Sequence, residues 1–238
     1  QITAILNGTS NYLLDEIENK SMNFDNALRQ AQDLGYAESD PTFDVEGIDS
    51  AHKICILSAL VFNKMPKLKN MTIRGISKIT LNDIKFVNSL GYKIKLLAIS
   101  CASNKFQCSV EPWLISNKHI LSNINGVLNA VEIKSNLTGP ILLTGAGAGA
   151  GPTASAVLSD LYDYLSRSNR TGFTNSSIKL KYNINTTPYK DNLMFYIRAT
   201  VLDKSGVLAD LTKIFKLYKI SIQSFFTRTK RKTLYPEI

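Results

Sequence analysis

Six charged residues stand within sixteen positions: Glu38, Asp40, Asp44, Glu46, Asp49 and Lys53. On a helix Glu46, Asp49 and Lys53 fall at i, i+3 and i+7, so they share one face, and Asp49 to Lys53 is a favourable i,i+4 pair. A pair of that kind on a solvated face is common and adds only a few tenths of a kcal/mol, roughly. The flanking residues raise a chemical reading. Gly47, Ala51, Ile54, Cys55, Ile56, Leu57, Ala59 and Leu60 leave little polar surface, which predicts at least partial burial of the charged pair. A carboxylate and an ammonium held together away from water are costly unless well bonded, and a desolvated lysine can move protons.

Two other stretches offer ligand contacts. Gly145-x-Gly147-x-x-Ala150 follows an apolar run and precedes a helical pattern, which formally satisfies a dinucleotide fingerprint. Such a fingerprint opens a domain and leads to an acid on a second strand, whereas here the helix leads to Arg167 and Arg170. The absence of Gly-Lys-Ser/Thr excludes a P-loop. Backbone N–H groups at a helix start without side chains can approach a phosphate, a carboxylate or a cofactor ring. A glycine turn for close packing is the plain alternative. Asn7-Gly8-Thr9-Ser10-Asn11-Tyr12 is a polar patch in an apolar stretch, either a kink or polar face, or room for a small ligand.

The elements that must position these residues read as follows. Ile2 to Glu18 and Phe24 to Leu34 have helical apolar spacing, the second ended by Gly35. Val45 to Phe62 reads as a mostly buried helix with Asp44 as N-cap. A Lys-rich connector, Lys64 to Lys69, precedes a helix from Leu81 to Leu90. Residues 93–99, 106–110, 126–133 and 141–144 alternate as strands, and a helix runs from Thr153 to about Leu165. This order predicts an α+β fold, with helices on one face of a mixed, mainly antiparallel sheet. Residues 166–191 read as a linker. Leu193 to Val201, Val207 to Tyr218 and Ile220 to Phe225 then read as a single βαβ unit that buries too little surface alone.

Composition excludes several classes. With 44% hydrophobic residues and no apolar run of the ~18–20 residues a membrane helix needs, a membrane span is not expected. The chain opens on Gln1 without a charged leader, which gives the expectation of a cytoplasmic protein that lacks its start. The net charge of +9 is local: residues 1–165 hold 14 Lys and Arg against 15 Asp and Glu, and 166–238 hold 14 against 4. Only 7 of the basic residues are Arg, which argues against nucleic acid as a partner. Cys55, Cys101 and Cys108 have no CxxC spacing and read as reduced thiols, and two histidines, His52 and His119, exclude a His-rich metal site.

Three stretches together resemble homoserine dehydrogenase. They are Ile5 to Leu14 (ILNGTSNYLL), Ala31 to Lys53 (AQDLGYAESDPTFDVEGIDSAHK) and Gly145 to Val157 (GAGAGAGPTASAV). They occur in the family's order across residues 1–165, and the middle one is long and unusual. The tail Val201 to Ala209 looks like the start of an ACT regulatory domain. The resemblance implies interconversion of L-homoserine and L-aspartate 4-semialdehyde with NAD or NADP, in the pathway to threonine, methionine and isoleucine. It places Asp49 and Lys53 at the proton-handling pair, Glu38 at the substrate's amino group and Asp44 as a further acidic contact. Gly8, Thr9 and Tyr36 would line the substrate, and Gly145, Gly147, Gly149, Ala150, Gly151 and Thr153 would meet the cofactor. It implies no metal. The expected organisation is a catalytic and dimerisation domain at 1–165, a linker at 166–191 and a truncated ACT-like unit at 192–238. The family's amino-terminal nucleotide-binding domain is not in this sequence, so the chain alone is not expected to turn over. A homo-oligomer and an amino-acid effector at the ACT-like end are further expectations. A non-catalytic amino-acid-responsive binding module built on that end is the alternative.

Overall fold

A computed structural model describes residues 1–166, 179–189, 194–202 and 204–227. The first unit, Gln1–Leu193, opens with strand β1 (Ile2–Ile5), followed by α1 (Gly8–Lys20), α2 (Phe24–Asp33), α3 (Thr42–Val45) and α4 (Ile48–Phe62). Next come β2 (Lys64–Pro66), β3 (Thr72–Ile73), α5 (Leu81–Ser89), β4 (Tyr92–Ala102), β5 (Phe106–Ser116), β6 (Leu128–Ser135), β7 (Gly139–Ala146), α6 (Ala150–Leu165) and β8 (Lys181–Ile184).

Six strands form one sheet in the order β3-β5-β4-β1-β6-β7. Only β3 and β5 run parallel, and every other pair in it is antiparallel. The fold is thus the α+β class that the sequence predicts. Alternation divides the core. Ile2, Ala4, Leu96 and Ala98 join the large cluster with the helices, including Leu13, Ile17, Ile54 and Val87. Ile5, Leu97 and Ile99 join a smaller cluster with Leu121, Ile124 and Ala130. Successive residues pointing to opposite faces is the strand period of two.

Several expected elements are corrected. Ile2 to Glu18 is not one helix: Ile2–Ile5 is a central strand, bonded to β4 on one side and β6 on the other, with all four residues buried. A strand buried on both faces is a continuous apolar run, and helical spacing does not distinguish it. Val45 to Phe62 is broken at Gly47, whose φ of 78° is left-handed, so α4 starts at Ile48 and its N-cap is Gly47 rather than Asp44. Nor is α4 buried all round. Ala51, Ile54, Cys55, Ser58 and Ala59 pack inward, whereas Ile56, Leu60 and Val61 are exposed.

The Lys64 to Lys69 connector contains β2, which pairs in parallel with β8 inside the segment read as a linker. That strand is short, polar and more than a hundred residues from its partner, which hides it from local patterning. Helix α5 starts at a capping box in which Thr80 and Asp83 exchange bonds.

In the second unit, Met194–Ile238, helix α7 (Val207–Leu217) forms as expected. Residues 194–200 and 220–225 are not in strands, and Leu193 lies outside the described residues. A lone βαβ unit has no neighbouring strand to satisfy its edges, so the ladder has nothing to form against.

Candidate active site

Asn7 lies two residues beyond β1 and caps α1, with its Oδ1 accepting the N–H of Ser10 at 2.7 Å. That bond orients the amide so that Nδ2 points the other way, toward two carboxylates. It donates to Asp44 Oδ1 at 2.6 Å and to Asp49 Oδ2 at 2.9 Å. Asp44 comes from α3 and Asp49 from the first turn of α4, so one amide ties three elements together. Ser10 Oγ reinforces the junction by donating to the Asp44 carbonyl at 2.7 Å.

One turn along α4, Lys53 Nζ donates to Asp49 Oδ2 at 2.7 Å and to the Leu6 carbonyl at 3.1 Å. The side chains of Lys53 and Asp49 are 44% and 26% exposed, so the pair is sheltered on one side and reachable from the other. Two donors of a lysine ammonium are thereby satisfied and its third remains for a ligand. The expected partial burial of the pair is what the structure has.

Lys53 lines an open depression of about 240 Å³ with Leu6, Ile56, Leu57, Asn129 and Val131. Asn129 and Val131 also line a second depression of about 220 Å³ that reaches Thr144, Gly145 and Gly147. The Asn129 Nδ2 donates to the Leu6 carbonyl at 3.4 Å, the same oxygen that holds Lys53, while its Oδ1 is buried without a hydrogen-bond partner. A Cβ on Gly147 would stand 2.0 Å from that Nδ2. Asn129 is therefore the wall between the lysine and the glycine run.

The other expected residues divide. Thr9 Oγ1 donates to the Tyr36 carbonyl at 2.6 Å, and the Tyr36 ring meets Tyr12 edge-on at 5.1 Å, so Thr9 and Tyr36 form one patch at the start of α1. Gly8 allows close approach there, since a Cβ would stand 2.7 Å from the Val127 carbonyl oxygen. Glu38 is exposed in the turn before α3, where Gln32 Nε2 holds its main-chain carbonyl at 3.0 Å; its carboxylate is not tied to the Asp49–Lys53 pair.

Gly145 lies in β7, and Gly149, with φ 107°, precedes α6, whose first turn holds Ala150, Gly151 and Thr153. Thr153 N–H donates to the Gly149 carbonyl at 3.1 Å. The helix begins a turn earlier than Thr153. A Cβ on Gly145 or Gly151 would meet nothing within 4 Å, so bare main chain is open to a flat ring or an anion at this helix start. The orphaned Asn129 oxygen beside it adds a free acceptor for an N–H donor. These features fit a nicotinamide.

Sequence reasoning missed the Leu6 carbonyl and Asn129 altogether, and took Asn7 only as part of a polar patch. An Asn before Gly-Thr-Ser at a strand end is an N-cap signal, which would have exposed the strand as well. Among the described residues, no group of three or more His, Cys, Asp or Glu could hold a metal.

A helix-backed mixed sheet with a carboxylate-held lysine beside a glycine-opened helix start defines an α+β domain built around an acid–lysine site. Residues 1–162 match the family model described as homoserine dehydrogenase. The homoserine dehydrogenase of Neisseria gonorrhoeae is 36% identical over 236 residues, covering 95% of this chain and 54% of that protein. That of Helicobacter pylori is 38% identical over 229 residues, covering 92% and 52%. The crystal structure of the enzyme from Thiobacillus denitrificans superposes with a TM-score of 0.76 at 37% identity, over 94% of this chain and 53% of that one. A hyperthermophilic archaeal homoserine dehydrogenase solved in complex with NADPH gives a TM-score of 0.57 at 28% identity, over 70% and 47%. The chain belongs to the homoserine dehydrogenase family. It spans about half the length of the curated relatives it matches.

Proposed function

We propose that this chain supplies the substrate-binding and proton-handling part of an oxidoreductase that interconverts L-homoserine and L-aspartate 4-semialdehyde with NAD or NADP. The observation that carries the reading is the Lys53 ammonium, fixed by Asp49 and the Leu6 carbonyl with one donor facing an open depression. The nicotinamide, when bound against the glycine run, supplies or accepts the hydride.

Lys53 stabilises the charge that develops on the aldehyde oxygen and gives it a proton, and in reverse the neutral amine takes the hydroxyl proton. Asp49 keeps the ammonium aimed, and Asn7 keeps Asp49 in place. The free oxygen of Asp44 and the exposed Glu38 offer negative charge to the substrate's own ammonium. A cytoplasmic homo-oligomer with an amino-acid effector at residues 192–238 belongs to the same reading.

Joining the chain to a relative's nucleotide-binding domain and measuring semialdehyde reduction tests it. Lys53→Ala is expected to lower kcat by roughly 10²–10⁴-fold, the usual range for a lost acid or base. Full kcat in that variant would remove the assigned role.

A further inference from the structure

Lys95 is a lysine of β4 that no part of the proposed reaction uses, and at 1% exposure it is the largest fully buried side chain among the described residues. Its Nζ meets three acceptors: the Ile124 carbonyl at 2.6 Å, Asn11 Oδ1 at 2.9 Å and, more loosely, Asn125 Oδ1 at 3.5 Å. Asn11 in turn donates its Nδ2 to the carbonyls of Ile124, Gly126 and Leu128 at 3.0, 3.0 and 3.3 Å. Asp15 Oδ2 accepts the Gly126 N–H at 2.9 Å. Apart from the Lys95–Asn11 bond, which joins the two side chains, every one of these bonds ends on the segment 124–128, which crosses from the short helical turn at Ile120–Asn123 into β6.

That segment touches the candidate site at both ends. Its Val127 carbonyl lies against Gly8, and the residue after Leu128 is Asn129, the wall between Lys53 and the glycine run. We infer that Lys95 is a positioning residue: with Asn11 and Asp15 it locks the 124–128 turn, and through that turn it sets Asn129 and the Gly8 backbone against the Lys53 depression. The functional part of this rests on the proposed role of Lys53.

Chemistry favours a lock over a filler. A buried polar side chain without partners is costly, and here one ammonium, one amide and one carboxylate are each bonded to main-chain groups of the same short segment. An ammonium has three N–H donors for the three acceptors around it, whereas the neutral amine has two. Loss of the proton therefore releases one of these three acceptors, two of which belong to the turn and the third to Asn11, which itself holds the turn. Burial pushes the Lys95 ammonium down to about 8, with Asp15 opposing the shift. The charged groups facing it are Asp15 and Glu18 from α1 and Lys93 from its own strand, and the 120–125 segment brings none.

Carbon-detected NMR of the chain from pH 6 to 10 tests the inference without any turnover, so its failure is separate from failure of the catalytic reading. The Cε shift of Lys95 is expected to titrate near pH 8, with the carbonyl carbons of Ile124, Gly126 and Val127 and the Asn129 Cγ moving at the same midpoint. In Lys95→Met those four shifts are expected to lose that transition. Lys95→Gln, which keeps a neutral donor, covers the case in which the methionine variant does not fold. A Lys95 transition unaccompanied by the turn and Asn129 overturns the inference, and so does a transition that persists at those carbons in either variant.

Discussion

Asn7 Nδ2 donates to Asp49 Oδ2 at 2.9 Å, and Lys53 Nζ donates to the same oxygen at 2.7 Å. One carboxylate oxygen is thus fixed from two directions, by a neutral amide and by a cation. The amide also holds Asp44, so two negative groups stay close together without a second positive charge between them. The cap on α1 makes this possible, because the bond from Ser10 N–H to Asn7 Oδ1 leaves Nδ2 no other direction.

Replacement of Asn7 separates its two roles. Serine retains an oxygen for the cap and lacks the amide donor, whereas alanine lacks both. Asn7→Ser is expected to lose about 1.5–3 kcal/mol, the scale of a hydrogen bond to a charged group. Asn7→Ala is expected to lose about 1 kcal/mol more, the usual cost of a missing N-cap. Urea unfolding of the three proteins measures both steps. A serine variant as stable as the parent would show that the amide bridge contributes nothing.

The turn after β3 has no room for a side chain. A Cβ on Gly75 would stand 2.3 Å from the Val45 carbonyl oxygen and 2.4 Å from Glu46 Cα, both main-chain atoms that cannot step aside. Gly75→Ala is therefore expected to displace the Val45 to Gly47 bend that follows Asp44 and leads into α4, costing more than about 3 kcal/mol. Gly91→Ala is the control. Its φ of 80° is strained for alanine but nothing lies within 4 Å, so a cost of about 1–2 kcal/mol is expected. Thermal unfolding ranks the two, and equal losses would contradict the steric account.

Local spacing revealed the i,i+4 relation of Asp49 and Lys53, the sheet's mainly antiparallel character and the glycine-opened helix. What escaped it was set by distant partners. Ile2 to Ile5 is a strand because β4 and β6 flank it, and nothing within the segment says so. Asn129 and Leu6 join the site through a bond across 123 residues of sequence, and Lys95 is held inside by acceptors from Asn11, the Ile124 carbonyl and Asn125. A lysine in an alternating strand reads as a solvent-facing residue until its acceptors are known. Glu38 is the reverse case: the resemblance singles it out, while the structure fixes only its main chain.

The thiols are expected to differ in reactivity. Burial pushes the Cys55 thiol up to about 11 and the Cys108 thiol up to about 12, so neither forms appreciable thiolate near neutrality. Cys101 is the one cysteine that is partly exposed. Iodoacetamide at pH 7.5 followed by peptide mass mapping is expected to modify Cys101 in the native protein, with Cys55 and Cys108 reacting only after denaturant is added. Rapid native labelling of Cys55 would mean that α4 opens readily from the sheet.

Stability should rise with pH above neutrality for a reason located at Lys95. Its folded-state value of about 8 lies below the ordinary 10.5, with burial the main cause. Between those values the unfolded chain binds a proton at this position that the folded chain has released, so the slope of unfolding free energy against pH is positive. Below pH 8 the ammonium is charged in both states and its burial is a constant cost. Above 10.5 it is neutral in both and the gain is complete. The slope in the window is at most about 1.4 kcal/mol per pH unit. Other lysines and tyrosines also titrate there, so the informative quantity is the difference between the parent and Lys95→Met, followed by urea unfolding from pH 7 to 10. That difference is expected to shift in the parent's favour as pH rises from 8 to 10, because only the parent sheds a buried charge. A pH-independent difference would mean that the Lys95 proton is retained across the window, and that its three acceptors outweigh the cost of burying it.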